Sequence, residues 1–420
     1  MKYNKTFLYF IIVLISLQLE AQSIYKPKGC SASVGSGVST VVLQNPQDRY
    51  QLITIQWSDI EPSPGNFDFT SLQNQINTIK SYNKKYALAI ASGGLGTPAW
   101  LIDTYNVPYV DYLFQGITPY RLPLWWDTIV QQRISLMVTA LGNQFANDSS
   151  LALVYVTQMT ANGNEGHLNG IDMTTMYNNG FTPTLWINAA KQTTYYYTNS
   201  FPDKAIAFEV HDIDNSNVIP STIINDLYND ATLCQRVGAA IWWLSGKTTY
   251  QTNLLTTLQN FQGDKYAQLI AKSSQPERFQ DGLIENAFIQ AKQLGIRYIE
   301  PWLYEYQNNT INNILLDFNS WADLNFTSYD VCDNLSTGFN EQINEDKIVI
   351  YPNPVSEYIT IINPEKQDNE TVSIYTILGG LVKEIDLTST NQINVSELAN
   401  GVYFAKFKNH PHQTLKFIKN

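Results

Sequence analysis

The chain has 420 residues, with 26 basic against 37 acidic side chains and a formal charge of −11. That balance excludes a nucleic-acid partner, because phosphate binding needs clustered lysine and arginine. The three cysteines, Cys30, Cys234 and Cys332, are too few and too far apart for a disulfide framework. One bridge with one thiol left over would suit an exported protein. No Cys or His spacing resembles a zinc site, so neither metal nor cofactor is expected.

The first residues read as a secretory signal peptide. Lys2 and Lys5 make a basic start, Phe7–Leu17 is apolar apart from Tyr9 and Ser16, and Ala21 is a small residue at the exit. This pattern predicts cleavage after Ala21, giving a signal peptide over residues 1–21. The apolar run is short for a bilayer span, and no later stretch is apolar enough. The mature protein is therefore expected to lack a transmembrane segment.

From about Gly29 to Asn325, apolar strand-like runs alternate with amphipathic stretches. Strands are predicted at Cys30–Val34, Leu52–Trp57, Tyr86–Ala91, Leu153–Met159, Ala205–Val210, Ala239–Leu244, Tyr266–Ala271 and Ile296–Ile299. Helices are predicted at Leu72–Ser81, Thr128–Phe145, Pro183–Thr198, Thr222–Leu233, Thr249–Phe261 and Leu283–Leu294. Strands that are apolar throughout suit a sheet covered on both faces. Eight of them, mostly separated by helices, predict an α/β fold of the (β/α)8 TIM-barrel type over residues 22–325. An open doubly wound sheet is the alternative, but no Gly-rich phosphate loop follows an early strand.

Residues 326–346 are polar and without period, and read as a linker. From 347 to 420 the period changes to two. Val349, Tyr351, Ile359, Ile361, Val372, Ile374, Val382, Ile385, Val402, Phe404 and Phe407 mark short strands. They predict a small C-terminal antiparallel β-sandwich.

Two segments resemble known families. In the tail, Ile350-Tyr351-Pro352-Asn353-Pro354 is followed by VSIYTI within 371–377. Leu398-Ala399-Asn400-Gly401-Val402-Tyr403 and Leu415–Lys419 complete the set. Together they resemble the C-terminal sorting domain of Bacteroidetes type IX secretion cargo. The resemblance implies the type IX secretion machinery as a partner and a secreted or cell-surface location, and says little about catalysis.

In the barrel, residues 57–69 read W-x-x-I-E-P-x-x-G-x-F-D-F, and Thr97-Pro98-Ala99-Trp100-Leu101 follows the third strand. This is similar to clan A glycoside hydrolases of the β-galactosidase and cellulase kind. The resemblance implies a general acid/base in an Asn-Glu pair after strand four, matched here by Asn164-Glu165. It also implies a second carboxylate near the end of strand seven.

Glycoside hydrolysis needs two carboxylates, one of them with a raised pKa. Three acids compete for the second role. Glu300, in Tyr298-Ile299-Glu300-Pro301-Trp302, stands at a strand end. Glu277 lies five residues beyond the seventh strand, and Glu209 ends the fifth. Trp57, Trp100 and Trp302 are candidates to stack on sugar rings, and His167 and His211 to bond hydroxyls. Trp242 and Trp243 are neighbours on a strand, so at most one is expected to meet ligand. The expected function is a secreted glycoside hydrolase acting on oligo- or polysaccharide. The alternative is a non-catalytic carbohydrate-binding or cell-surface protein on a degenerate barrel. No G-x-S-x-G or H-E-x-x-H motif supports an esterase or zinc protease.

Overall fold

The structure, a computed structural model, describes residues 22–35, 37–308, 311–332, 348–351, 353, 355–362, 370–376, 379–387, 391–409 and 414–419. The signal peptide expected over 1–21 and residues 333–346 of the expected linker lie outside this set. The chain divides into two units, Met1–Ser336 and Thr337–Asn420.

The first unit is a closed barrel of eight parallel strands. They are β1 (Gly29–Ser33), β2 (Tyr50–Gln56), β3 (Lys85–Ala91) and β4 (Leu151–Tyr155). The circle continues through β5 (Ala205–Glu209), β6 (Val237–Leu244), β7 (Lys265–Leu269) and β8 (Tyr298–Glu300). Each expected strand is present, usually shifted by one to four residues. β8 pairs with β1 through Tyr298–Gly29 and Ile299–Cys30, which closes the circle.

The strands are apolar on both faces because both faces are covered. Facing in, Ala87, Ala89, Ala205, Ala207 and Ala240 leave room that Tyr50, Tyr155, Trp242, Tyr266 and Tyr298 fill. Tyr155 and Trp242 meet edge to face with centroids 5.2 Å apart. The barrel is thus a packed core, and ligand has access only at its ends. Facing out, Ile53, Leu88, Val154, Phe208, Ile241 and Ile299 pack under the helices.

The helices after the eight strands are α1 (Thr40–Gln44), α2 (Thr70–Ser81), α3 (Thr128–Phe145) and α4 (Pro183–Ser200). α5 (Val218–Asn229), α6 (Thr252–Asn260), α7 (Glu285–Leu294) and α8 (Asn312–Asn325) complete the ring. Local chemistry sets several starts. Asp127 caps α3 by accepting from Ile129 and Val130, and Thr182 caps α4 just ahead of Pro183. Two helices, α1 and α8, were not among those expected. α8 fastens the sequence-poor first strand, since Asn319 Oδ1 accepts from Cys30 N at 2.8 Å. Asp48 does the same for Ala32 N at 3.0 Å. Cys30 is buried and free, whereas Cys234 is disulfide-bonded.

Three additions surround the barrel. Gln22–Tyr25 pairs antiparallel with Tyr329–Cys332, so part of the expected linker is a strand of this unit. A hairpin, Tyr109–Phe114 with Thr118–Pro123, stands between β3 and α3. The segment after β2 folds around a buried ion pair between Arg133 of α3 and Glu61, whose side chain has 0% exposure. Glu61 also accepts from Trp57 Nε1 at 2.6 Å and Gly65 N at 2.8 Å. Among the described residues, no helix is long and apolar enough to cross a membrane.

The second unit has two sheets, and the strand pairings within each are antiparallel. One sheet orders Val349–Tyr351, Tyr358–Ile362 and Gln392–Asn394. The other orders Leu381–Leu387, Glu370–Thr376, Gly401–Phe407 and Thr414–Lys419. Ile350, Ile359, Ile361, Val372, Ile374, Ala405 and Phe407 share one core. Tyr403 belongs to this core as well.

Removing one partner of the Glu61–Arg133 pair strands a buried charge. Arg133→Met is expected to lower unfolding free energy by about 3–5 kcal/mol in urea melts. A loss below about 1 kcal/mol would show that the pair does not hold this segment.

Candidate functional site

The strands' C-terminal ends open into a cleft of about 380 Å³. Glu165, Asn162, His167 and Asn169 reach it from the loop after β4, His211 from β5, and Trp242 and Trp243 from β6. Gln268 of β7, Ser33 of β1, Thr54 of β2, Arg278 and Trp302 complete most of the lining.

Close backbone packing places Glu165. Gly163 has φ +82°, and a Cβ there would lie 2.2 Å from the carbonyl oxygen of Ser92. Only glycine lets this loop lie against the end of β3. Asn162 then closes a turn, its Oδ1 accepting from Asn164 N at 3.2 Å and Glu165 N at 2.9 Å. Its amide Nδ2 donates to Glu165 Oε1 at 2.6 Å. Gly166 N donates to Glu209 Oε2 at 2.5 Å, which ties the β4 loop to the tip of β5.

Glu209 is wholly buried. Besides Gly166 it accepts from Trp242 N at 3.0 Å, and His211 Nδ1 lies 3.0 Å from its carboxylate. Burial raises its pKa well above the carboxylate range, and the Gly166 and Trp242 amides pull it back. His211 is neutral, since burial pushes its pKa down to about 4. A neutral ring that donates from Nδ1 to Glu209 turns the Nε2 lone pair to Glu165 Oε2, 3.8 Å away. His167 Nε2 stands 4.0 Å from Glu165 Oε1. Burial, then the charge of His211, pushes the pKa of His167 down to about 3.

The Glu165 side chain keeps 24% of its surface exposed. Its pKa is nonetheless pushed up to about 7, first by burial, with His211 lowering it, Glu209 raising it and the Asn162 amide lowering it. One atom each from Glu165, Glu209 and His211 lies within 4.8 Å of the others, a spacing that could also hold a metal ion. The cluster of two glutamates and a histidine is consistent with paired-carboxylate catalysis.

The other expected residues are scattered. Glu300 ends β8, the eighth strand, because the first strand is real. It is wholly buried and accepts from Tyr155 Oη at 2.9 Å, Tyr298 Oη at 2.8 Å and Gln268 Nε2 at 3.1 Å. Burial pushes its pKa up to about 7 against those donors. Gln268, also bonded to Ser33 Oγ at 3.1 Å, lies between Glu300 and the cleft. β7 therefore offers the cleft an amide where a carboxylate was sought. Glu277 sits exposed on the turn Pro276–Arg278, and the structure does not bring it to Glu165.

Trp57 and Trp100, expected at the sugar, instead enclose Glu61. Trp57 is buried, and Trp100 donates to the Glu61 carbonyl at 2.9 Å. Asn164 turns away from Glu165, and the residue on the carboxylate is Asn162, two positions earlier. Only the Asx-turn signal of Asn162-Gly163 could have shown it in sequence. Trp302 lines the cleft, its Nε1 tied to the Leu269 carbonyl at 2.7 Å. Trp242 packs inside the barrel and Trp243 outside, yet both border the cleft. At a strand's end the outward ring can fold over the rim, and Trp243 does so by donating to the Val210 carbonyl at 2.8 Å.

With this geometry the comparisons with known proteins take their place. Residues 349–420 match the secretion system C-terminal sorting domain, and residues 47–156 match the glycoside hydrolase family described as β-galactosidase. The chain thus joins a clan A-like (β/α)8 barrel to a sorting domain, which supports a secreted or cell-surface location. No curated protein matches the sequence. Among solved structures, the cold-adapted β-galactosidase of Rahnella sp. R3 shares 10% identity, with 73% of this chain and 58% of that one covered at TM-score 0.46. The β-galactosidase of Bacillus circulans sp. alkalophilus shares 10%, covering 66% and 50% at TM-score 0.44. An intracellular xylanase of Thermoanaerobacterium saccharolyticum shares 13%, covering 66% and 86% at TM-score 0.40. The chain spans between half and three-fifths of the length of those β-galactosidases. At these scores the likenesses carry nothing about individual residues.

Holding Glu300 near 7 against its ordinary 4.5 costs about 3 kcal/mol once it ionises. Its folded pKa is raised, so its contribution to stability is full below about 4.5 and is lost as pH rises through about 7. Glu300→Gln is expected to shrink the stability difference between pH 5 and pH 8 by about 2.5 kcal/mol in urea melts. An unchanged difference would mean that its three donors keep the carboxylate ionised.

Proposed function

We propose that the barrel hydrolyses glycosidic bonds, with Glu165 as the proton donor. One observation carries the reading: a carboxyl held near pH 7 stands in a cleft walled by indole rings at the strands' C-terminal end. A general acid works best with a pKa near the working pH. Tryptophan faces suit the apolar faces of sugar rings.

Glu165 gives its proton to the glycosidic oxygen as the aglycone leaves. Glu209 is taken as the paired carboxylate: an oxygen of it lies within 4.8 Å of one of Glu165, and retaining glycosidases hold their two carboxyl groups about 5–5.5 Å apart. Gly166 and His211 cover it in this structure, and the reading requires substrate to displace that cover. Glu209, which loses its proton to solvent once that cover is displaced, then attacks the anomeric carbon as a carboxylate, and water resolves the glycosyl-enzyme with Glu165 acting as base. Trp302 and Trp242 bear the sugar rings, and His167 and His211 meet hydroxyls. The substrate class is oligo- or polysaccharide, delivered outside the cell by the signal peptide over 1–21 and the type IX sorting tail.

A second reading, a carbohydrate-binding protein without catalysis, is favoured by one specific feature. β7 presents Gln268 to the cleft, and Glu209 and Glu300 have no surface there.

An aryl-glycoside and polysaccharide panel separates the two. Glu165→Gln is expected to lower kcat/KM by about 10²–10⁴, and Glu209→Gln to do likewise, with Glu300→Gln close to parental. Parental kcat/KM should fall as pH rises above about 7, because Glu165 must be protonated to act. Full activity in Glu165→Gln would remove the assignment. No turnover with measurable sugar binding would establish the second reading.

A further inference from the structure

We propose that the site continues into a second compartment beyond Asn162, so that the barrel mouth takes an internal stretch of a neutral polysaccharide chain. The proposal rests on the glycoside-hydrolase reading for the position of the scissile bond. The compartment itself rests on separate observations.

A hollow of about 690 Å³ adjoins the cleft, and Gly35, Thr54 and Asn162 line both. Shared walls make one groove of the two. Asn162 stands at the divide with its amide on Glu165, so a bond broken there has sugar-sized space on either side. The far wall is formed by Gln56, Asp59 and Ser71, all exposed, so the groove runs out to solvent instead of ending in a pit. A blind end would select chain termini, and an open one lets a chain pass through.

The lining indicates what kind of chain. Asn164 is only 6% exposed, and its Oδ1 faces no donor. Gln75 Oε1, on the same hollow, is likewise buried without one. A buried acceptor left unpaired is unfavourable, and the hydroxyls of a sugar are the donors that would relieve it. Asp59 is the sole charged side chain lining this second hollow, so uronate or sulfate groups bound in it meet repulsion and no cation. The four aromatic rings, Trp242, Trp243, Tyr250 and Trp302, all belong to the first compartment. Sugars are therefore gripped by stacking on one side of the cut and by hydrogen bonds alone on the other.

The test uses the full chain carrying Glu165→Gln, with calorimetric Kd values for cello-, manno-, xylo- and β-1,4-galacto-oligosaccharides of two to six units. In at least one series, affinity is expected to rise at least tenfold from disaccharide to tetrasaccharide. Ser71→Trp, on an exposed turn of α2, fills the second compartment and is expected to erase that gain. Affinity that is flat beyond the disaccharide, no binding in any series, or a gain that survives Ser71→Trp overturns the proposal. Length-dependent binding by a chain that hydrolyses nothing would keep the groove and reject the hydrolase. Hydrolysis with flat affinity would do the reverse.

Discussion

The carboxylate of Glu209, shut away from water at the tip of β5, fastens the barrel mouth. It accepts from Gly166 of the β4 loop and from Trp242 of β6, and it faces the ring of its near neighbour His211. Three consecutive strands are thus tied at one point. The free energy of that arrangement is sharply conditional. A buried carboxylate is expensive unless every lone pair has a donor, and here the donors come from elements that must be in register to supply them. A Cβ at Gly166 would stand 3.1 Å from His211 N and 3.2 Å from the Glu209 carbonyl, a tight fit that would ease the loop away by a few tenths of an ångström. Glu165, one residue earlier, takes its place from the same closure.

A second buried carboxylate works in the same manner on the other side of the mouth. Glu300 draws Tyr155 of β4, Tyr298 of β8 and Gln268 of β7 towards the barrel axis, and Gln268 passes the link on to Ser33 of β1. The top layer of the barrel is therefore polar and crosslinked, above a middle layer of alanine and tyrosine. Burial pushes the pKa of Glu165 and of Glu300 alike to about 7, but the consequences differ. Glu165 keeps a face on the cleft and can exchange its proton with a ligand. Glu300 is sealed under Gln268, and its proton can serve only the fold.

The motif after β2 shows how a resemblance can mark packing instead of contact with ligand. Trp57 and Trp100 look like subsite residues in a line of sequence. In space, Glu61 is the buried partner of Arg133, and both indoles donate to it. The cluster holds the β2 and β3 loops to α3, and the walls of the second compartment stand on those loops. Its part in the site is indirect.

Fold was legible in the sequence where the physics is local and periodic. The stretches Tyr86–Ala91 of β3 and Ala239–Leu244 of β6 show as unbroken apolar runs because both faces are covered. Helices with a cap and an apolar stripe, such as α3 behind Asp127, were placed to the residue. The five-residue α1 is too short to show a period, α8 was not read as a helix, and β1, with its serines and alanine, is a strand because Asp48 and Asn319 satisfy its amides from afar. In the site, Glu165 was marked by the resemblance of Asn164-Glu165, after the fourth predicted strand, to an acid/base pair. The sequence by itself thus determined an eightfold alternation, an antiparallel tail and one acid at the barrel mouth. Only the tertiary structure decided that Asn162 and not Asn164 holds that acid, that Glu209 and Glu300 are enclosed while Glu277 is exposed, and that both Trp242 and Trp243 reach the cleft. Burial and donor count belong to no single stretch of chain. They arise where β4, β5, β6 and β7 end side by side, and that meeting exists only once the barrel has closed.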